Sequence, residues 1–192
     1  KDTNTKNGVY LMLANSETSK SDIIELKYDT SYDYMFPCVV SMNDTTIVVA
    51  YVASNGSSYI QNIYYHIITH DDITIVTNNQ HTFSTEKLDP NLLIDINKLS
   101  DTDFIIAFDD YAQHPHYYSC HCGRHGCHQC HGGYYYYYDI QYFIYDINNT
   151  QKLNKTLFQN NDTNSHYHKL TTPSIGVSAN YYTVVYQYYA EI

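Results

Sequence analysis

The chain has 192 residues, enough to bury one substantial core, and its formal net charge of −10 is strongly acidic. This charge disfavours nucleic acid, whose backbone needs Lys and Arg to displace its counterions, and it disfavours an anionic membrane surface. No apolar run reaches the roughly 20 residues that a membrane-spanning helix needs. Tyr is abundant at 24 residues and Trp is absent, while β-branched and turn-forming residues are common. This composition favours an all-β protein with many turns.

The start of the chain and its glycosylation signals bear on location. The sequence begins at Lys1, which fits a mature secreted chain after cleavage or a fragment of a larger protein. Five N-glycosylation sequons begin at Asn43, Asn55, Asn148, Asn154 and Asn161. Because they cluster in predicted turns, we expect a glycoprotein that is extracellular or on the cell surface.

Three segments of the chain repeat one pattern, in which a Pro precedes a short alternating strand, a polar turn and an apolar strand that ends in an aromatic residue. These segments run from Pro37 to Tyr51, from Pro90 to Phe108 and from Pro173 to Tyr186. A second landmark, an aliphatic residue in a strand with aromatic side chains, occurs at Val9, Ile63 and Ile140. Val9 and Ile63 are 54 residues apart, and Ile63 and Ile140 are 77 residues apart. The difference of about 23 residues is roughly the length of the Cys/His/Tyr-rich segment, so leaving that segment out restores a regular repeat length.

The repeat predicts one β-repeat domain over residues 1–192. Its first unit spans residues 8–58, its second 59–110 and its third 137–192, with a Cys/His/Tyr-rich insertion over 111–136. Each unit is expected to form four antiparallel strands, arranged like propeller blades or as a stack. The predicted strands lie near 9–13, 23–28, 38–42, 46–52, 60–68, 73–85, 92–96, 103–108, 137–145, 152–158, 174–178 and 181–189.

Three stretches in this repeat resemble a known type of sequence. They read YDIQYFIYD at residues 138–146, TPSI at 172–175 and TVVY at 183–186. These stretches resemble the repeats of roughly fifty residues in large bacterial and protist surface proteins, which read GYDIYAQ-F, NPSIA and G-FVVVW. The usual Trp of those repeats is replaced here by Tyr51, Phe108 and Tyr186, and most Gly-rich turns are missing. The resemblance implies propeller-like blades on an extracellular scaffold and does not identify an activity.

The number of units predicts how the protein assembles. A propeller closes with about 4 to 8 blades, so three units leave open strand edges that invite pairing with another chain. The first strand of one copy could complete the last blade of the next, which would make the protein its own partner in a head-to-tail filament. Closure within one chain and membership of a longer propeller are the alternatives.

The insertion concentrates most of the reactive residues of the chain. Residues 114–131 contain four of the five cysteines and six of the eleven histidines, which suggests disulfides, a bound metal or a covalently attached haem. The candidate residues are Cys120, Cys122, Cys127, Cys130, His121, His125, His128 and His131. Since loops tolerate insertions and often carry function, this segment is predicted to be a loop.

Three kinds of chemistry fit these residues. Two disulfides would staple an exposed loop, and four cysteines allow three pairings. Alternatively, the C-x-C-x4-C-x2-C spacing supplies four thiolates for a structural zinc or similar soft ion. The run from Cys127 through Cys130 to His131 also resembles the C-x-x-C-H motif of c-type cytochromes, which implies haem c on two thioethers with His131 as axial ligand. Cys38, the remaining cysteine, is expected to be a buried apolar residue.

No nucleophile elbow, phosphate loop, dinucleotide fingerprint or zinc-protease helix occurs in the sequence, so an enzyme is not expected. We expect a structural protein, a self-assembling subunit of a surface filament or matrix with a disulfide- or metal-stabilised Cys/His loop. Two other classes stay open. One is a c-type haem electron-transfer protein that forms or decorates a filament, and the other is an adhesive or carbohydrate-binding propeller fragment.

Overall fold

A computed structural model describes residues 8–15, 19–54, 61–84, 93–123, 126–156 and 168–190. Within these ranges, side chains are described except at residues 61, 84, 110–123, 126–139, 156, 168–171 and 188–190. The described chain is all-β and contains no helix, which confirms the predicted fold class at that level. No helix in this part of the chain is long and apolar enough to cross a membrane.

The described residues form twelve strands, and each of the twelve predicted segments overlaps one. They are β1 (Val9–Leu11), β2 (Ile24–Lys27), β3 (Asp33–Asn43), β4 (Thr46–Ser54), β5 (Gln61–Asp71), β6 (Thr74–Ser84), β7 (Ile94–Lys98), β8 (Asp103–Gly123), β9 (Gly126–Asp146), β10 (Gln151–Thr156), β11 (His168–Val177) and β12 (Tyr182–Ala190).

The strands form three sheets that stay open within the described part of the chain. β1 and β2 make a two-stranded sheet, and β3-β4-β5-β6 make a four-stranded antiparallel meander. The third sheet contains the consecutive antiparallel strands β7-β8-β9-β10. The β11–β12 hairpin joins it through one parallel pair, Lys169 with Tyr138. No closed ring of blades forms, and the count of three units stays a prediction.

The sheets pack face to face, and their apolar residues form three clusters. The largest lies between the meander and the third sheet, and it includes Val48 and Tyr65 on one side and Phe104 and Phe108 on the other. A second cluster lies between the other face of the meander and β1–β2, and a third lies between β8–β9 and β11–β12. Strand β4, in the middle of the stack, is buried at all nine residues. Its continuous apolar run is therefore what a strand covered on both faces requires.

Three hairpins, β3–β4, β7–β8 and β11–β12, carry the landmark aromatics. In the first and third, the residue before the landmark pairs with the residue after the Pro, Cys38 with Ala50 and Ser174 with Val185. In the second, Ala107 pairs with Asp95, five residues after the Pro. β3 and β11 also break register at matching Xaa-Pro steps. There Phe36 and Thr172 have positive φ angles of 54° and 58°. The first and third hairpins are therefore built alike, including their bulge.

The other edge of the central strand is also paired in a fixed way. The residue after each landmark aromatic pairs with the second landmark, giving Val52 with Ile63 and Asp109 with Ile140. The strand pairs β4–β5 and β8–β9 thus share one register. β12 is the third strand of this kind, and among the described strands its pairing is with β11 alone.

The structure corrects one expectation about the insertion. The sequence predicts a loop, but the backbone of this segment continues β8 to Gly123 and β9 from Gly126 as one long antiparallel hairpin. Pairing between the two arms satisfies backbone N–H and C=O groups that a loop would leave to water. We call residues 111–123 and 126–138 the Cys/His ribbon.

Candidate functional site

The Cys/His ribbon projects from the third sheet as two paired strands. The twelve steps from Tyr111 to Gly123 extend it by roughly 40 Å at about 3.3 Å per residue. Apart from the single pair of Lys169 with Tyr138 at its base, the recorded pairings of the ribbon are between its own two arms. Because an isolated two-stranded hairpin is at best marginally stable in water, the ribbon needs further stabilisation.

Two register shifts interrupt the ribbon. The first lies between the pairs Pro115–Tyr134 and Tyr117–His131, where Gly132 and Gly133 together face the single residue His116. Gly is common at such bulges, because it accepts the backbone kink without a side chain. The second lies between Ser119 and His121 and leaves Cys120 as the extra residue of β8.

The register brings one pair of cysteines together. Cys122 and Cys127 are direct partners across the ladder, next to the pair of Gly123 with Gly126. Directly paired antiparallel residues have Cα atoms about 4.5 or 5.5 Å apart, and both distances suit a disulfide. With these two joined, Cys120 and Cys130 are left as the second pair.

Cys127 and Cys130, which the haem c alternative joins to one porphyrin, both lie in strand β9, three residues apart.

The histidines of the ribbon are distributed along its ladder. His121 pairs with His128, and His131 pairs with Tyr117, while His125 lies outside the described residues. Where side chains are described, no three His, Cys, Asp or Glu side chains are placed to hold a metal ion together.

The remaining predicted residues lie on the scaffold. Asn148 and Asn154 are exposed and Asn43 is half-buried, while Asn55 and Asn161 lie outside the described residues. Cys38 is half-buried, and its thiol points to the carbonyl oxygen of Ala50 at 3.5 Å. Burial raises the pKa of this thiol to about 12, which keeps it in the unreactive thiol form.

The edge of β12 exposes residues whose counterparts are buried. Val185 is 61% exposed, whereas Ala50 and Ala107, which also precede a landmark aromatic, are fully buried. Tyr186 is 38% exposed, whereas its counterparts Tyr51 and Phe108 are fully buried. β1, which carries the landmark residue Val9, also exposes a large side chain, since Tyr10 is 52% exposed.

A polar network that the sequence did not reveal lies inside the meander. The buried Tyr51 hydroxyl is 2.8 Å from Nε2 of the buried His66, and Nδ1 of His66 is 2.6 Å from Oδ1 of Asn78. An amide oxygen only accepts, so Nδ1 carries the proton and Nε2 accepts from Tyr51. Burial lowers the pKa of His66 more than the hydrogen bond to Asn78 raises it, which favours the neutral ring.

A polar cleft lies between β6 and the turn after β9. The cleft has a volume of about 450 Å³ and is lined by Ile67, Asn78, Asn79, Gln80, His81, Ile147, Asn148 and Asn149. Tyr65 connects its two walls, because its ring stacks on His81 with centroids 5.1 Å apart and its hydroxyl donates to Oδ1 of Asn149. No motif marks these residues, since β6 and the turn are distant in sequence.

The molecule thus offers an extended Cys/His ribbon, an open apolar strand edge and a polar cleft. The ribbon can form covalent cross-links, the edge can accept another strand, and the cleft can bind a small polar ligand. No family model, curated protein or solved structure matches the chain.

Proposed function

We propose that the protein is an extracellular structural subunit that assembles head to tail, with β1 of one copy adding to the open edge of β12 in another. The observation that carries this proposal is the shared register of β4–β5 and β8–β9. Applied to β12, the same register pairs Gln187 with Val9 of the next copy and Tyr186 with its Tyr10. The result is a meander β11-β12-β1-β2 shared by two copies.

Burial of exposed residues supports this contact. Fully burying a Val side chain contributes about 1.5–3 kcal/mol, so covering Val185, which is 61% exposed, contributes about 1–2 kcal/mol from that side chain alone. The backbone groups of β12 that have no partner among the described strands gain hydrogen bonds at the same time, as in other cases of strand addition. A contact between two different surfaces of the same chain repeats from copy to copy and builds a filament unless it closes into a ring.

The assembly is tested by measuring mass against concentration with light scattering on the purified chain, followed by electron microscopy. We expect concentration-dependent oligomers that Val185→Lys abolishes, because a charge on an edge strand opposes pairing. Val76→Lys is the matched control, since Val76 is 63% exposed on the edge strand of the other sheet and should leave assembly unchanged. A chain that stays monomeric at every concentration, or equal effects of the two variants, refutes the proposal.

The register itself is tested by cross-linking. Tyr186→Cys mixed with Tyr10→Cys places two thiols at paired positions of neighbouring copies, and oxidation should join them. Tyr186→Cys mixed with Met12→Cys offsets the thiols by two residues and should join much more slowly. Peptide mass spectrometry identifies the linked residues, and equal yields for the two mixtures refute the register.

In this proposal, disulfides from Cys122 to Cys127 and from Cys120 to Cys130 stabilise the ribbon. Arg124 is the only Lys or Arg between Lys98 and Lys152, so trypsin acting on the denatured, unreduced chain separates Cys120 and Cys122 from Cys127 and Cys130. Without reduction, the two peptides should stay linked, and fragmentation should identify Cys122 with Cys127. Unlinked peptides with bound zinc would favour the four-thiolate site, and a Soret absorption band would favour haem c and electron transfer.

A further inference from the structure

We propose that the cleft between β6 and the turn at residues 147–149 is a binding site for a neutral saccharide. This inference is independent of the assembly proposal, because none of the residues that line the cleft belongs to β1 or β12. The cleft has a volume of about 450 Å³, which lies within the range of about 300–1,000 Å³ that is usual for small-ligand sites.

The chemistry of the lining selects the ligand class. Five of the eight lining residues carry a carboxamide, and none is Asp, Glu, Lys or Arg. His81 adds no charge near neutral pH, since burial lowers its pKa below the ordinary value of 6.5. Carboxamides both donate and accept hydrogen bonds, as sugar hydroxyls do. A charged ligand would find no counter-ion among these lining residues, whereas the hydroxyls of a saccharide would find carboxamide donors and acceptors.

The walls of the cleft are held in place from behind. The carboxylate of Asp146 accepts from the backbone N–H groups of Asn148 and Thr150, at 2.9 and 2.8 Å, and fixes the turn. Asn149 adopts a positive φ of 64°, a conformation that Asn tolerates. Side chains therefore enter the cleft from a rigid frame, which reduces the entropy lost when a ligand binds.

Two of the carboxamides already have a fixed orientation. The Asn149 oxygen accepts from the Tyr65 hydroxyl, and the Asn78 oxygen accepts from His66. Asn149 can still offer its amide N–H groups to a ligand, whereas the side chain of Asn78 is directed to the opposite face of β6, toward His66. Asn79 and His81 pair across the ladder with Ile67 and Tyr65, so they share the face on which the cleft lies.

The test is titration of the full chain with neutral trisaccharides of glucose, mannose and N-acetylglucosamine, followed through the side-chain amide signals in NMR. The chain is produced without N-glycosylation, because Asn148 is also a sequon residue. Asn79→Ala and Asn148→Ala should each weaken binding about tenfold, the effect expected when one hydrogen bond is lost. Asn180→Ala, at an exposed position outside the cleft, is the matched control and should leave binding unchanged.

Each outcome bears directly on the proposal. Binding of a neutral trisaccharide that is lost in the two cleft variants and retained in the control supports it. Absence of binding at millimolar concentrations, or binding that the cleft variants do not weaken, overturns it. Preference for sialylated or phosphorylated sugars over neutral ones also overturns it, because the lining lacks a cation to recognise them.

Discussion

Removing the Tyr51 hydroxyl with Tyr51→Phe should measurably destabilise the meander. The ring of Tyr51 is fully buried, and its hydroxyl bonds at 2.8 Å to Nε2 of His66, which is itself 1% exposed. The substitution leaves Nε2 of His66 without a donor where water is excluded. An unsatisfied buried polar group costs about 1–3 kcal/mol, and we expect the free energy of unfolding to fall by that amount.

The assay is urea denaturation followed by circular dichroism, with Tyr34→Phe as the matched control. Tyr34 is 3% exposed and packs edge-on against Tyr51, with ring centroids 5.8 Å apart. No hydrogen bond of its hydroxyl is recorded within the described residues, so losing that hydroxyl should cost less than about 0.5 kcal/mol. If the two variants have the same unfolding midpoint, the Tyr51–His66 bond contributes nothing and the reasoning is refuted.

Two further predictions concern the same scaffold. Stability should fall as the pH drops below about 6.5, because burial lowers the pKa of His66 in the folded state, so that the unfolded state binds the proton first. The fall should become smaller in His66→Gln when unfolding is measured between pH 5 and 7.5, and His81, whose pKa burial also lowers, should account for part of what remains. Asp95→Ala should lower the free energy of unfolding by about 1–3 kcal/mol, because the Asp95 carboxylate accepts from the backbone N–H of Ile175 at 2.7 Å and ties β11 to β7. Asp101→Ala is the control for the denaturation series, since its ion pair with Lys98 is exposed and should contribute less than about 1 kcal/mol.

The strands could be predicted because their signals are local. Alternating apolar residues and turn residues mark each strand in the sequence, and the landmarks at Tyr51, Phe108 and Tyr186 recur on the last strand of three hairpins. The pairing partner of a strand could be predicted only within the repeat, where consecutive strands form hairpins. The stacking of the sheets into layers, rather than a ring, depends on contacts between distant residues that no local pattern records.

In the ribbon, by contrast, local sequence signals predicted the wrong backbone structure. Its Gly, Cys and His content indicates a loop, and its short spacings suggest ligand sets drawn from neighbours in sequence. In a paired hairpin, however, the relevant neighbour is the residue across the ladder, which makes Cys127 the partner position of Cys122 rather than of Cys130. Gly132 and Gly133, which suggest a turn, are instead absorbed as a bulge.

The ribbon and the open edge of β12 are separate parts of one sheet, so their roles can be separated. Assembly through β12 uses backbone groups and the side chains near Val185, neither of which depends on a thiol. If the ribbon carries the proposed disulfides, its stability depends on them, because its pairings above Tyr138 are within itself. Reduction should therefore make the ribbon sensitive to cleavage after Arg124 while leaving the oligomers seen by light scattering intact. If reduction dissolves the oligomers as well, the ribbon and not β12 joins the copies, because disulfides would then hold neighbouring chains together.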